Sequence, residues 1–249
     1  LLFYDKKLSS NNTISCSSCH IQANAFGDVA VASQGVNGTT GRHSMRLINV
    51  RFANEAKFFW DERAINLETQ TSMPIKDHGE MGFSGLNGDQ SFSDLIVKLN
   101  AVGYYRELFK FAYGSEEITE AKIQTALSQF IRSIQSFDSK YDAGRALAPN
   151  DGAPFANFTA QENDGKNLFL TPPTFNASGI RTSGGLGCAG CHRAPEFDID
   201  PNTGNNGIIG TIAGTGIDVT NTRAPSLRNL VKLDGTTNGP MMHTGVITS

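Results

Sequence analysis

Two copies of one short motif lie far apart in this chain of 249 residues. Each copy has two cysteines separated by two residues and followed at once by a histidine: Cys16-Ser17-Ser18-Cys19-His20 and Cys188-Ala189-Gly190-Cys191-His192. Together the copies contain all 4 cysteines and two of the 5 histidines of the chain. Any fold for this sequence must therefore present the same chemical arrangement twice.

Four kinds of site use paired cysteines. Disulfide frameworks belong mainly to small secreted domains, and this chain is long enough to build a core without them. A zinc ribbon brings together pairs about 15–20 residues apart, whereas about 170 residues separate these two pairs. A thioredoxin-type redox site requires a βαβ setting, which neither pair has. Covalent attachment of a c-type haem explains both cysteines and the histidine of each motif together.

The spacing suits this attachment chemistry. Two thiols three residues apart on a tight turn can reach the two vinyl groups of one porphyrin edge, and the next side chain can place an imidazole nitrogen on the iron. The sequence therefore predicts two c-type haems, with thioether links at Cys16, Cys19, Cys188 and Cys191 and iron ligands at His20 and His192. Bacterial proteins of this kind mature outside the cytoplasmic membrane. We therefore expect a periplasmic protein whose signal peptide is absent from this chain.

Composition excludes other classes of protein. The net charge is -3, which argues against a nucleic-acid binder that works by phosphate neutralisation. No stretch approaches the roughly 20 apolar residues that span a bilayer, so we expect no transmembrane segment. The 26 glycines and 9 prolines indicate a loop-rich chain.

Hydrophobic periodicity predicts an all-α fold built from two cytochrome c-like haem domains with long loops. The predicted helices cover 1–8, 91–99, 119 to about 141, and 159 to about 170. Linker composition over 143–155 places the boundary between an N-terminal domain, 1–145, and a C-terminal domain, 146–249. We expect the Gly- and Asn-rich segments 33–41 and 200–216 to be loops over the haem edges.

Beyond the two haem motifs, the sequence resembles the bacterial di-haem cytochrome c peroxidases and their MauG-type relatives. The resemblance covers nearly all of the chain. It rests on an ordered set of further motifs: Gly41-Arg42-His43-Ser44, Phe59-Trp60-Asp61-Glu62-Arg63-Ala64, Pro74-Ile75 through Glu80-Met81-Gly82, Arg223-Ala224-Pro225-Ser226-Leu227-Arg228-Asn229, and Pro240-Met241-Met242-His243-Thr244-Gly245.

The resemblance implies a role for each half. The haem on His20 would be the peroxidatic one, and the haem on His192 would take and store electrons. Glu80 matches the catalytic glutamate of the family, with a solvated surface residue as the alternative. A carboxylate in a dry pocket can move a proton between the two peroxide oxygens. Trp60 matches the tryptophan between the haems, with core filling as the alternative. His78 could tune Glu80, bind peroxide or be structural.

The resemblance also implies contacts to charged groups. Arg42 and Arg63 would pair with haem propionates, or else form ordinary salt bridges. A calcium ion between the haems would involve Asn238 and the backbone near Pro240. His43 stands at a third ligand position, and because calcium prefers oxygen it would contribute its carbonyl.

Two departures from the family pattern modify these expectations. Many relatives hold a ligand histidine in the loop after the first motif, whereas residues 21–41 contain none and Gln34 or Gly35 stands near its place. We therefore expect an open sixth position on the first haem and no need for reductive activation. Relatives place the distal ligand of the second haem beyond the motif that ends at Gly245. We expect it to follow this sequence, with the late residues Met241, Met242 and His243 as alternatives.

The leading functional hypothesis is a periplasmic peroxidase. It would reduce hydrogen peroxide to water with electrons from a small cytochrome c or cupredoxin. The alternatives are a MauG-type oxidase that modifies a side chain of a partner protein, and a non-enzymatic di-haem electron carrier. Family members are often dimers, so a homodimer is also implied by the resemblance.

Overall fold

The computed structural model describes residues 1–53, 57–198 and 204–248. In this part of the chain the α-helices are α1 (Cys16–Cys19), α2 (Leu67–Ser72), α3 (Phe92–Asn100), α4 (Gly103–Tyr113), α5 (Glu120–Arg132), α6 (Lys140–Leu147) and α7 (Ala160–Leu170). Single 3-10 turns occur at Leu2–Tyr4, Lys6–Leu8, Gln22–Asn24, Val50–Phe52 and Cys188–Gly190. The described chain is helix-rich, as predicted. No helix within these ranges is long and apolar enough to cross a bilayer.

Two short antiparallel hairpins modify the all-α prediction. The first pairs β1 (Gln34–Gly35) with β2 (Gly38–Thr39), and the second pairs β3 (Pro173–Phe175) with β4 (Arg181–Gly184). Strands of two to four residues are too short to show an alternating pattern in the sequence. The first hairpin lies inside the segment 33–41 that was predicted as a loop, and the predicted loop 200–216 begins outside the described residues.

Several predicted helix boundaries are wrong for local reasons. The helix predicted over 119–141 ends at Arg132, and α6 begins separately with a capping box in which Ser139 and Asp142 bond each other's backbone N–H. The predicted linker 143–155 therefore begins within α6. The helix predicted over 1–8 is two 3-10 turns, because Asp5 is extended between them and its side chain accepts the N–H of Lys7. The two-domain division remains a prediction.

The main core packs α2 against α5. Arg132 on α5 donates to the Glu68 carboxylate on α2 at 3.0 Å, and this bond lowers the pKa of Glu68 to about 2. The same two helices contribute apolar side chains to the main cavity of the protein, including Leu67, Leu127 and Ile131. The ion pair thus fixes the relative position of two cavity walls.

Candidate haem sites

The first cysteine motif forms one helical turn. Ser15 caps α1 through a capping box with Ser18, and His20 N–H donates to the Cys16 carbonyl at 2.9 Å. Residues three apart on a helical turn share a face, so Cys16 and Cys19 point to the same side. Both line one cavity together with His20.

The ring of His20 is held by a backbone carbonyl. Its Nδ1 lies 3.1 Å from the Phe26 oxygen, and Phe26 has a left-handed backbone with φ 55°. Burial lowers the pKa of His20, so the ring is neutral and Nδ1–H is the donor. Nε2 then keeps its lone pair, as an iron ligand requires.

The second motif repeats this geometry in a different sequence context. His192 N–H donates to the Cys188 carbonyl at 2.9 Å, and His192 Nδ1 lies 2.9 Å from the Phe197 oxygen. Phe197 also has a φ of 55°, and burial likewise lowers the pKa of His192. Sequence reasoning missed both phenylalanines, because the contact uses their carbonyls and not their side chains. The same donor set therefore fits an iron porphyrin at each motif.

The cavity at the first motif has a volume of about 480 Å³, within the range of sites that enclose small organic ligands. Burial raises the pKa of the Cys16 thiol to about 12 and that of Cys19 to about 11. The C-terminal half also contributes to the lining, through Glu196 and Asp198.

Glu80 lies on the wall of this cavity and is half-buried. Burial, followed by the negative charge of Asp77, raises the pKa of Glu80 to about 7, and Arg63 opposes the shift. A carboxyl with a pKa near 7 can both accept and donate a proton at neutral pH. The position predicted for the catalytic carboxyl thus has the electrostatics of a general acid–base.

The first hairpin is hydrogen-bonded to the turn that carries Glu80. Val36 N–H donates to the Glu80 carbonyl at 3.0 Å, and Asn37 N–H donates to the Gly79 carbonyl at 3.1 Å. A Cβ on Gly35 would lie only 2.1 Å from the Gly79 oxygen. Sequence reasoning placed Gly35 near the ligand position of relatives. The close approach that requires a glycine there is visible only in three dimensions.

His78 does not lie with Glu80 in the cavity. Its side chain is about half exposed, and its Nδ1 lies 2.9 Å from the Asp89 carboxylate. Its backbone carbonyl accepts a hydrogen bond from Asn37 Nδ2 at 3.0 Å. The structure therefore gives His78 surface contacts, which fit a structural role.

Trp60 is buried where segments from both halves of the chain meet. The indole Nε1–H donates to the His43 carbonyl at 2.8 Å, and the ring makes an edge contact with His243 at 6.0 Å between centroids. The Trp60 carbonyl accepts the N–H groups of Thr222 and Arg223 at 3.0 and 3.1 Å. Trp60 also lines the cavity, so it is placed to connect the first site with the C-terminal half.

Arg42 and Arg63 both line the cavity and both pair with Asp61 at 2.7 Å. Arg42 additionally pairs with Asp218 at 2.8 Å and thereby links the two halves of the chain. The pairing of either arginine with a haem propionate stays a prediction. The Arg63 guanidinium stacks at 3.7 Å from the Phe59 ring centroid and is 41% exposed.

The residues predicted to hold calcium are buried. Asn238 is buried, and its side-chain N–H donates to the Asn229 carbonyl at 2.8 Å. The His43 carbonyl receives the Trp60 indole N–H, and Pro240 is buried. Within the described ranges no group of three His, Cys, Asp or Glu side chains could hold a metal ion. The contacts of these residues give no independent support for calcium.

Two Cys-Cys-His motifs with the same histidine geometry are typical of a c-type di-haem protein. Residues 1–147 match the family model described as di-haem cytochrome c peroxidase. The chain belongs to this family, which includes the MauG proteins.

Curated relatives carry both kinds of name. The chain is 30% identical to the methylamine utilization protein MauG of Methylorubrum extorquens over 259 aligned residues, covering 100% of this chain. It is 29% identical to the cytochrome c551 peroxidase of Nitrosomonas europaea, covering 92% of this chain. The match spans 64% of the length of each relative.

Solved structures show the same fold. A MauG-like protein associated with microbial copper homeostasis superposes with a TM-score of 0.70 at 29% identity, covering 100% of this chain and 71% of that one. The diheme peroxidase BthA of Burkholderia thailandensis superposes with a TM-score of 0.68 at 23% identity, covering 99% of this chain and 67% of that one. At that identity the second likeness supports the fold alone.

Proposed function

We propose that this chain is the di-haem part of a periplasmic peroxidase that reduces hydrogen peroxide to water. The observation that carries the proposal is the Glu80 carboxyl, which has a pKa of about 7 and lies on the wall of the cavity that contains Cys16, Cys19 and His20. A haem held there by Cys16, Cys19 and His20 would supply the redox chemistry toward peroxide.

The chain's own contribution to this reaction is proton transfer. Ionised Glu80 takes a proton from one peroxide oxygen and, once protonated, gives it to the other oxygen, which leaves as water. The full reaction consumes two electrons and two further protons for each peroxide and yields two waters. Hydrogen bonds from the first hairpin to the Glu80 turn keep this carboxyl on the cavity wall.

The second site supplies electrons in this proposal. A haem at Cys188, Cys191 and His192 would receive them one at a time from a small cytochrome c or cupredoxin. Trp60 lies between this half and the first cavity and offers a polarisable bridge. A MauG-type oxidation of a partner protein is the second candidate, since a curated relative of that name matches over the whole chain.

Peroxide titration separates these functions. We expect the oxidised, haem-loaded protein to change its Soret spectrum on addition of hydrogen peroxide, and to turn over when a reduced cytochrome c or cupredoxin is added. A Soret band that peroxide leaves unchanged would instead indicate an electron carrier. A spectral change without donor-supported turnover would indicate the protein-modifying oxidase.

An open sixth position on the first haem is a separate expectation. Residues 21–41 contain no histidine, and Gly35 and Glu80 lie together on the cavity wall. The oxidised protein as isolated is therefore expected to show a high-spin ferric EPR signal from one haem, and to react with peroxide without prior reduction. Two low-spin signals would contradict this expectation.

A further inference from the structure

Asp77 organises the turn that presents Glu80. Its carboxylate Oδ1 accepts the backbone N–H of Glu80 at 2.9 Å, and its carbonyl accepts the N–H groups of Met81 and Gly82 at 3.2 and 2.8 Å. The Asp77 side chain is exposed to solvent and also borders the cavity. Asp77 therefore bonds the backbone of Glu80, and its charge acts on the Glu80 carboxyl.

Among the described residues, two charged side chains shift the pKa of Glu80. Asp77 raises the pKa of Glu80 and Arg63 lowers it, while burial makes the largest contribution. Arg63 also forms a salt bridge with Asp61 at 2.7 Å. The α1 thiols are neutral, and His78 faces Asp89 instead. Asp77 is thus the negative charge that acts most directly on the acid–base group.

We propose that Asp77 is a positioning residue for Glu80: its carboxylate accepts the Glu80 N–H, which fixes the backbone of the turn, and lies at the border of the same cavity. The inference rests on the proposed peroxidase function, because it concerns the group that moves the proton there. Asp77 raises the pKa of the Glu80 carboxyl. A higher pKa makes the ionised carboxyl a stronger base toward the first peroxide oxygen.

Two substitutions separate the two roles of Asp77. Asp77→Asn keeps an oxygen that accepts the Glu80 N–H but removes the charge. Asp77→Ala removes both. Asp89→Asn is the matched control, because Asp89 is an acidic residue near the same turn that pairs with His78 outside the cavity. All variants are compared as haem-loaded proteins.

The first readout does not involve turnover. Infrared titration follows the carboxylic acid C=O band that disappears in Glu80→Gln, and its midpoint reports the pKa of Glu80. In Asp77→Asn the midpoint is expected to fall by roughly half a pH unit or more, because a neighbouring negative charge has been removed. In a plot of the rate of peroxide reduction against pH, the rising part of the curve should move to lower pH by the same amount.

The second readout is the maximal rate of peroxide reduction. It should fall about tenfold in Asp77→Ala, because the carboxyl is then held less firmly, and should recover in Asp77→Asn. Asp89→Asn should match the wild-type protein in both measurements. A wild-type midpoint in Asp77→Asn, or a wild-type maximal rate in Asp77→Ala, would overturn the inference.

Failure of the underlying function would look different. If Glu80→Gln reduced peroxide at the wild-type rate, Glu80 would lose its catalytic role whatever the infrared midpoints showed. If Glu80→Gln were inactive and Asp77→Asn left the midpoint unmoved, the peroxidase proposal would stand and the role of Asp77 would be wrong.

Discussion

Replacing Glu80 by Gln is expected to lower steady-state peroxide reduction by at least about 100-fold, because general acid–base catalysis commonly contributes about 10²–10⁴-fold. The amide has nearly the same shape but cannot carry the proton between the two oxygens. The measurement is turnover of the haem-loaded variant at saturating peroxide with a reduced small redox protein as donor.

His78→Gln is the control for this experiment, because His78 lies two residues away but is paired with Asp89 at the surface. Its turnover should remain within about twofold of wild type. Both variants should carry two haems by mass. Wild-type turnover in Glu80→Gln would remove this carboxyl from the mechanism.

Gly35→Ala is expected to have the second large effect. The added Cβ would stand 2.1 Å from the Gly79 carbonyl oxygen and 2.8 Å from the Cα of Glu80, so the hairpin and the Glu80 turn must move apart. Overpacking of this kind typically costs about 1–3 kcal/mol of unfolding free energy. Because the catalytic carboxyl moves with the turn, peroxide turnover should fall at least about tenfold.

Gly103→Ala is the matched control, because Gly103 is exposed at the start of α4, outside the cavity, and a Cβ there meets nothing within 4 Å. Denaturant unfolding and steady-state turnover of this variant should be close to those of the wild-type protein. If Gly35→Ala were as stable and as active as Gly103→Ala, the close packing of the hairpin on the Glu80 turn would not matter for activity.

Sequence reasoning predicted those site residues that belong to recognisable motifs. The spacing of Cys16, Cys19 and His20 can be interpreted from the sequence alone, because one helical turn brings the three side chains together. Glu80 was found through a motif, and its raised pKa follows from burial that no sequence pattern displays. The same limit applies to Arg42, whose two carboxylate partners lie 19 and 176 residues away.

Backbone contacts and short elements were beyond sequence reasoning. The carbonyl groups of Phe26 and Phe197 hold the two histidine rings, but every residue has a carbonyl and only the local fold selects which one is used. Periodicity also extended the predicted helix to about residue 141, past the end of α5 at Arg132. Apolar residues continue past Arg132, whereas the capping at Ser139 starts a new helix.

The matched hydrogen bonds at His20 and His192 have an electrochemical consequence. A carbonyl acceptor at Nδ1 tunes the electron density that an axial imidazole gives to its iron, and here the acceptor geometry is nearly the same at both motifs, at 3.1 and 2.9 Å. For haems held at both motifs, this hydrogen bond would not separate the two reduction potentials. The opposite axial position and the solvent exposure of each ring would be the remaining controls. Cys191 is exposed while Cys16 and Cys19 are not, so the surroundings of the two motifs differ.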